Sequence, residues 1–444
     1  MKISLINPHP SKYPPLGLVS IAPYLIEQGH EVTIHEGVKN LFVPSYNTDL
    51  VGITGLSLWG NEIKHAIREV WNHIPIVVGG PCITSNPSFL NELTEQVRNV
   101  FGVVGEGEVT ICELADALER EKPIDGIKGL RYRQKDTPDW TWNPFCPRPF
   151  MSLEEKKIPS WNLLPSLKYS IGLGVETSRG CPFNCIWCSA PLISGRKWRA
   201  REPSEVVWEI ETLQYKYQVK RVYFADDNCT ANPKRWVQLC KLLAFNFQGE
   251  IEFHVPEGIQ AHHLNKSTLK LMQTAGFDSI TVGAESGVQR VLDDVIGKYG
   301  LTPEKVEQVV KDCVEIGLQV SCFFVIGTYG ETLDEVKQTL SFAEHLRKLG
   351  ADSCSIRNAL PIPNTRMWNL AEKNGDLLIT EEDAYNHKLL HSGRHFMNSP
   401  EWDHQDIEIF TDIGHSQNQW HLIKRHPLLP IKTLFKKIMY RFQS

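Results

Sequence analysis

Three cysteines, Cys181, Cys185 and Cys188, fall within eight residues in the stretch Glu176-Thr177-Ser178-Arg179-Gly180-Cys181-Pro182-Phe183-Asn184-Cys185-Ile186-Trp187-Cys188. A short Gly-Pro-Asn loop with Cys-x3-Cys-x2-Cys spacing can wrap three thiolates round one face of a cluster, and soft thiolates select iron–sulfur or zinc over hard cations. On the iron–sulfur reading one iron keeps an open position, which means chemistry rather than electron storage. A structural zinc site would need a fourth ligand nearby, yet the next cysteine is Cys229. The plain alternative is three unrelated core thiols.

At 444 residues the chain exceeds one ordinary core and predicts two or three domains. Its 41% hydrophobic and 22% charged residues are those of a soluble globular protein. A formal net charge of −5 gives no global reason to expect nucleic acid or another polyanion. The start, Met1 to Pro8, has too short an apolar run for a signal peptide, and no run of about 18 apolar residues occurs, so a cytoplasmic location is expected. The other eight cysteines are scattered among apolar neighbours and do not look like a disulfide framework; most of them read as reduced core thiols.

The elements that must position the loop are α/β throughout. In residues 1–120, short apolar strands (2–6, 31–35, 49–54, 75–78, 100–104) alternate with helices (16–28, 61–71, 108–119), the pattern of a doubly wound, Rossmann-like parallel sheet. Ligands of such sheets sit at the carboxyl ends of strands. Those ends carry Asn7-Pro8-His9, Thr54-Gly55-Leu56-Ser57, Gly79-Gly80-Pro81 and Gly105-Glu106-Gly107-Glu108, where glycine lets backbone approach a large ligand. None is G-x-G-x-x-G, so no dinucleotide site is indicated, and tight turns of an ordinary domain remain the alternative.

Residues 121–170 hold seven of the 27 prolines together with Trp140, Trp142 and Trp161, the composition of a packed interdomain crossing with a small strand near 127–133, as in a hairpin over the domain boundary. From 171 to 365 strands and helices alternate six times: strands at 174–177, 220–225, 250–255, 278–282, 319–326 and 353–357, helices at 203–217, 233–245, 266–275, 302–316 and 331–349. Six units are too few for an eight-stranded barrel and predict a partial (β/α)6, TIM-like barrel with its site at the carboxyl ends. The cysteine loop follows the first of these strands.

The cysteine motif resembles that of the radical S-adenosylmethionine (AdoMet) superfamily, in which a [4Fe-4S] cluster chelates AdoMet through its open iron and yields a 5′-deoxyadenosyl radical. The resemblance implies AdoMet contacts from Trp187 within the motif, and from Asp226 and Asp227 in Ala225-Asp226-Asp227-Asn228 toward the amino group. It further implies Glu285 and Ser286 beside ribose and Ile326 in Phe324-Val325-Ile326-Gly327 beside adenine. Arg199 and Arg201, just past the cysteines, are candidates to neutralise an AdoMet carboxylate or the cluster's charge, since a guanidinium pairs bidentately with carboxylate; an ordinary surface arginine is the alternative for each. Tyr329 stands where proline is common.

Residues 1–120 resemble, in order, the cobalamin-binding domain that precedes the radical module in cobalamin-dependent enzymes: Leu5-Ile6-Asn7-Pro8, Pro14-Pro15-Leu16-Gly17-Leu18, Gly29-His30-Glu31-Val32, Val51-Gly52-Ile53-Thr54, Val78-Gly79-Gly80-Pro81 and Gly105-Glu106-Gly107-Glu108. The D-x-H-x-x-G motif is lacking, which implies base-off cobalamin without a protein histidine on cobalt. By the same resemblance Asn7, Pro8, Thr54, Gly55, Leu56, Ser57, Leu58, Trp59, Gly79, Gly80, Gly105, Glu106 and Gly107 line the corrin site, with Leu58 or Trp59 on its lower face. For Trp59, a core role at a helix start is the alternative.

Residues 366–444 form a C-terminal extension, expected on the substrate side, with seven of the sixteen histidines in no ligand pattern. Its last stretch, 431–442, reads as a basic amphipathic helix that packs on its own domain, a membrane surface or a partner. The function implied is methyl transfer from methylcobalamin to an unactivated carbon of a small-molecule, lipid or peptide substrate, with electrons from an external donor such as flavodoxin or ferredoxin. Two alternatives stay open: cyclisation, ring contraction or oxidation without methyl transfer, and a cobalamin sensor or carrier with a vestigial cluster.

Overall fold

The structure is a computed structural model that describes all residues except 10–12, 38–46, 71–73, 94–98, 134–142, 144–145, 387–388, 390–391, 393 and 426–444. Trp140, Trp142 and the 431–442 segment therefore lie outside the described residues. The first sheet comprises β1 (Lys2–Asn7), β2 (Glu31–Glu36), β3 (Leu50–Thr54), β4 (Ile76–Gly79), β5 (Val100–Val103) and β6 (Leu130–Tyr132), in the order β2-β1-β3-β4-β5-β6. Its first five strands are parallel. The order reverses between β1 and β3, which places the ligand crevice at their carboxyl ends. The small strand expected near 127–133 joins β5 antiparallel, Phe101 opposite Tyr132, as a sixth strand of this sheet. That corrects the expected hairpin: the apolar Leu130 and Tyr132 are buried by extending the first core rather than by bridging two.

The crossing is pinned to the first unit. Trp161 is fully buried, Ser160 N donates to Val19 O at 2.8 Å, and the Tyr169 hydroxyl donates to Glu36 at 2.6 Å.

The second unit holds six further parallel strands, β7 (Leu173–Val175), β10 (Arg221–Phe224), β11 (Glu252–His254), β12 (Ser279–Glu285), β13 (Gln319–Ile326) and β14 (Ser353–Asn358). A two-residue ribbon, β8 (Ser178–Arg179) with β9 (Arg199–Ala200), frames the cysteine loop. The parallel strands form two sheets, β11-β10-β7 and β12-β13-β14, tied by bridges Phe253–Phe277 and Ile259–Val282. Among the described residues no ladder joins β7 to β14, so the barrel is open. Side-chain alternation explains the layering: Val320, Cys322, Phe324 and Ile326 of β13 are buried beneath the helices, whereas Ser321, Phe323 and Val325 are half-buried on the opposite face. Phe224, Trp236, Phe253 and Phe277 fill the outer core with ring centroids 5.6 to 5.9 Å apart. All eleven cysteines are free.

The C-terminal extension reaches both units. Tyr385 is fully buried against Phe89, with centroids 4.6 Å apart, and Asn86 donates to its hydroxyl. A Cβ on Gly60 would stand 2.6 Å from Tyr385 Cβ, so the first unit has a socket for this ring beside the Ser57–Trp59 turn. The helix His404–Arg425 covers the outer face of β14: Gly414 lies against Ile356, Arg347 donates to Gln417 at 2.9 Å and Cys354 N donates to Asn418 at 2.9 Å.

Candidate two-cofactor site

Local chemistry shapes the cysteine loop. Gly180 has φ 85°, and a Cβ there would stand 2.6 Å from Lys197 O, so only glycine fits between β8 and the return chain. Cys181 N donates to Gly195 O at 3.2 Å, Ile186 N to Ile296 O at 3.0 Å, Met367 N to Ile186 O at 2.9 Å and Arg366 to Asn184 O at 2.9 Å. The loop is thus held from both sides of the barrel, with its three thiols half-buried. Burial pushes the Cys185 thiol up to about 12 and Cys188 to about 11, so thiolates there need a compensating cation. Among the described residues the atoms gathered closely enough to share one ion are those of Glu252, His254 and Asp278; the three cysteine sulfurs are spread more widely. Three soft thiol donors on one loop are the donor set of a [4Fe-4S] cluster with one open corner, and the loop fits that group.

The strand ends around the loop divide into those facing the site and those holding it. Asp226 is buried and accepts from Thr177 N at 2.7 Å, Thr177 Oγ1 at 2.6 Å and Ser178 Oγ at 2.5 Å. Burial raises its pKa against these hydrogen bonds. Asp227 accepts from Gly180 N at 2.8 Å. Arg201 is buried on Glu209 and on Glu176 O, which makes it a strut of the helix Pro203–Tyr217. Ser286 is buried with its hydroxyl 2.9 Å from Thr339 Oγ1. Ile326 is buried, and Trp187 packs partly against the same core.

Glu285 has φ 61° at a bulge in β12, a left-handed conformation rare for a non-glycine residue. Its carboxylate takes Lys298 Nζ at 2.6 Å. Lys298, absent from the sequence reading, is 3% exposed. Burial opposes its charge, yet Glu285 and then Cys185 outweigh that and raise its pKa. Asn228, which the strand-end motif includes without a role, has its Nδ2 3.8 Å from Cys181 Sγ. The signal available for Lys298 was its place just after Gly297, itself at φ 84°.

At the crevice of the first sheet a cavity of about 270 Å³ is lined by Gly17, Gly52, Thr54, Gly79, Gly80, Gly105, Glu106 and Gly107, and on its far side by Glu176, Arg179, Ile193 and Ser194. A Cβ at Gly17 or Gly105 would meet nothing within 4 Å, so both open onto free space. Gly80, at φ 85°, leaves no room for a Cβ beside Thr54 Oγ1. This glycine cradle at a topological switch point fits the tail of a large cofactor such as cobalamin. Asn7 is buried at the end of β1, Pro8 after it is buried too, and Gly55 O takes Cys82 N at 3.1 Å. Leu56 is exposed, Leu58 half-buried, and Trp59 stacks on His9 with centroids 4.2 Å apart. Glu106 points into an ion network rather than into open cavity.

In that network Glu176 pairs with Lys156 at 2.7 Å and Arg179 at 2.9 Å. Burial alone would raise the Glu176 carboxyl, but the Arg179 and Lys156 charges outweigh it and hold it at about 2. A depressed carboxyl stabilises the fold fully above its unfolded value of 4.5 and loses that contribution as pH falls toward 2. Glu176→Gln is therefore expected to lower stability at pH 7 by on the order of 3 kcal/mol. The gap to the parent chain should close on acidification below 4.5; denaturant titrations across pH check this, and a gap independent of pH contradicts it.

A cysteine loop at the mouth of an open barrel, facing a glycine-lined crevice in an α/β domain, defines a radical AdoMet enzyme with a second cofactor domain. Residues 175–343 match the Radical SAM superfamily and residues 5–115 the B12 binding domain. The chain is 33% identical over 387 residues to the uncharacterized methyltransferase PH0819 of Pyrococcus horikoshii, covering 82% of this chain and 80% of that one. It therefore belongs to the cobalamin-dependent radical SAM family, whose cofactors are a [4Fe-4S] cluster, AdoMet and cobalamin. A second relative, at 28% identity over 330 residues, is the anaerobic magnesium-protoporphyrin IX monomethyl ester cyclase of Synechocystis, covering 66% of this chain and 63% of that one. Among solved structures, the radical S-adenosylmethionine methyltransferase TsrM of Kitasatospora setae shares the fold at TM-score 0.70 and 20% identity, over 85% of this chain and 76% of that one. Among the described residues no helix is long and apolar enough to cross a membrane.

Proposed function

We propose that the chain methylates an unactivated carbon of a small-molecule, lipid or peptide substrate, drawing electrons from an external donor of the flavodoxin or ferredoxin kind. The observation that carries this reading is the shared wall: Glu176 and Arg179, which lead into the cysteine loop, also line the cavity of the first sheet. When bound, the cluster and AdoMet supply a carbon-centred radical and cobalamin supplies a transferable methyl group. The chain's own part is to hold and orient. Cys181, Cys185 and Cys188 hold the cluster; Asp227 and Glu285 offer carboxylates at strand ends toward AdoMet; Thr54, Gly79, Gly80, Gly105 and Gly107 offer backbone to cobalamin. Asp226, Arg201 and Ser286 serve by fixing the frame, since Asp226 accepts from Thr177, Arg201 pairs with Glu209 and Ser286 meets Thr339.

Anaerobic reconstitution with iron, sulfide and hydroxocobalamin tests the reading. Methyl transfer is expected to give S-adenosylhomocysteine and 5′-deoxyadenosine in equal amounts per methylated product, and methylation without cobalamin would overturn it. The similarity to a named cyclase favours one second reading, ring formation without methyl transfer. Formation of 5′-deoxyadenosine with no S-adenosylhomocysteine selects that reading.

A further inference from the structure

The two cofactor loops are joined by a buried set of charges. Glu106 Oε1 pairs with Arg179 at 3.1 Å and with Arg199 at 2.8 Å, while its Oε2 accepts Met151 N at 2.7 Å. Arg179 also reaches Glu108 at 2.6 Å and Glu176 at 2.9 Å, and Glu176 takes Lys156. Three carboxylates face three cations, with every side chain between 2% and 16% exposed. An apolar interface would join the units at least as stably, because desolvation offsets most of the attraction within buried ion pairs. What such a set adds is geometry: each member has one low-energy position, and Arg179 uses its planar fork to hold three carboxylates at once.

The placement says what that geometry controls. Glu106 sits between Gly105 and Gly107 in the wall of the cavity, and Glu108 opens the helix Glu108–Glu119. Arg179 ends β8, two residues before Cys181. Any ligand that pins the Gly105–Glu108 segment therefore also pins the root of the cysteine loop.

We propose that Arg179 and Glu106 are positioning residues that couple occupancy of the cobalamin cavity to occupancy of the cluster loop. This rests on the cofactor reading above. Cobalamin in the cavity fixes Glu106 and Glu108, these hold Arg179, and Arg179 holds the loop in its cluster-binding form. Linkage requires the same coupling in the reverse direction, so a bound cluster tightens cobalamin binding by an equal factor.

The experiment titrates hydroxocobalamin into the full chain with and without its reconstituted cluster, anaerobically. The cluster-loaded chain is expected to bind at least about five-fold more tightly. In Arg179→Lys and Glu106→Gln the ratio of the two affinities should fall to within about two-fold of one, whatever either change does to cobalamin affinity itself. Hydrogen exchange across residues 176–190 of the cluster-free chain should slow on adding cobalamin, and not in the variants. A ratio of one in the parent chain, or an unchanged ratio in a variant that melts cooperatively, overturns the coupling. If neither variant folds, the parent ratio and exchange data still decide. No cobalamin binding at all would overturn the cofactor reading and the coupling with it, whereas binding without coupling overturns the coupling alone.

Discussion

Replacing Cys185 with alanine is expected to leave a folded chain that retains little iron and forms no 5′-deoxyadenosine. The loop does not depend on that thiol for its path: Ile186 N is held by Ile296 O, Ile186 O by Met367 N, and Asn184 O by Arg366. Losing one half-buried sulfur removes little packing. Bound iron is another matter, since two thiolates cannot hold a cluster that three hold with one corner already open. The loss of AdoMet cleavage should exceed the roughly 10–100-fold typical of removing an outer partner of a metal ligand. Iron and sulfide content after reconstitution, with AdoMet cleavage measured under reductant, checks this. Cys229→Ala supplies the contrast. Cys229 is buried in the core, so its loss should leave iron content unchanged; a drop would make it a ligand. A chain that kept its function without Cys181, Cys185 and Cys188 would be a carrier with a vestigial cluster.

The legible parts of this protein are those in which function is local in sequence. Three thiols in eight residues announce a metal loop wherever they fold, and apolar runs bounded by glycine or proline give strands such as Gln319–Ile326 almost to the residue. Helix starts were nearly as clear. The helix Leu333–Leu349 begins two residues later than its apolar pattern predicts, because Thr332 and Glu335 close a capping box. The helix His404–Arg425 was missed for the opposite reason. Ile409, Ile413 and Trp420 are exposed, Gly414 interrupts it, and its stability comes from β14, which its own periodicity cannot reveal. Roles at the site were harder again. Asp226 was placed at the right strand end, yet its oxygens hold Thr177 and Ser178, 49 and 48 residues earlier. Arg179 reads as an ordinary loop residue until Glu108, 71 residues away, is brought beside it. Partners set by tertiary contact leave no spacing to find.

Lys298 is the case with the largest expected cost to stability. Its ammonium donates to Gly283 O at 3.0 Å and to Glu285 at 2.6 Å, and it is almost wholly enclosed. Lys298→Met keeps the length and apolar stem but leaves the Glu285 carboxylate, 15% exposed and on a left-handed backbone, without its cation. Removing one member of a buried pair typically costs about 3–5 kcal/mol, because the remaining charge stays desolvated. If that is the origin of the loss, Lys298→Met with Glu285→Gln should recover a large part of it, with a coupling energy of roughly 0.5–3 kcal/mol in a double-mutant cycle. Overpacking or lost side-chain volume would instead make the two changes additive. The same ammonium should matter to the metal loop. Thiolate ligands add negative charge near Lys298, whose pKa already responds to Cys185, so a cation there favours their ionised form. The single variant is accordingly expected to retain less iron than Glu285→Gln, which removes negative charge and keeps the lysine. Denaturant unfolding of the cluster-free chain, paired with iron content after reconstitution, separates the two effects. Equal iron retention in both variants would confine Lys298 to supporting the bulge of β12.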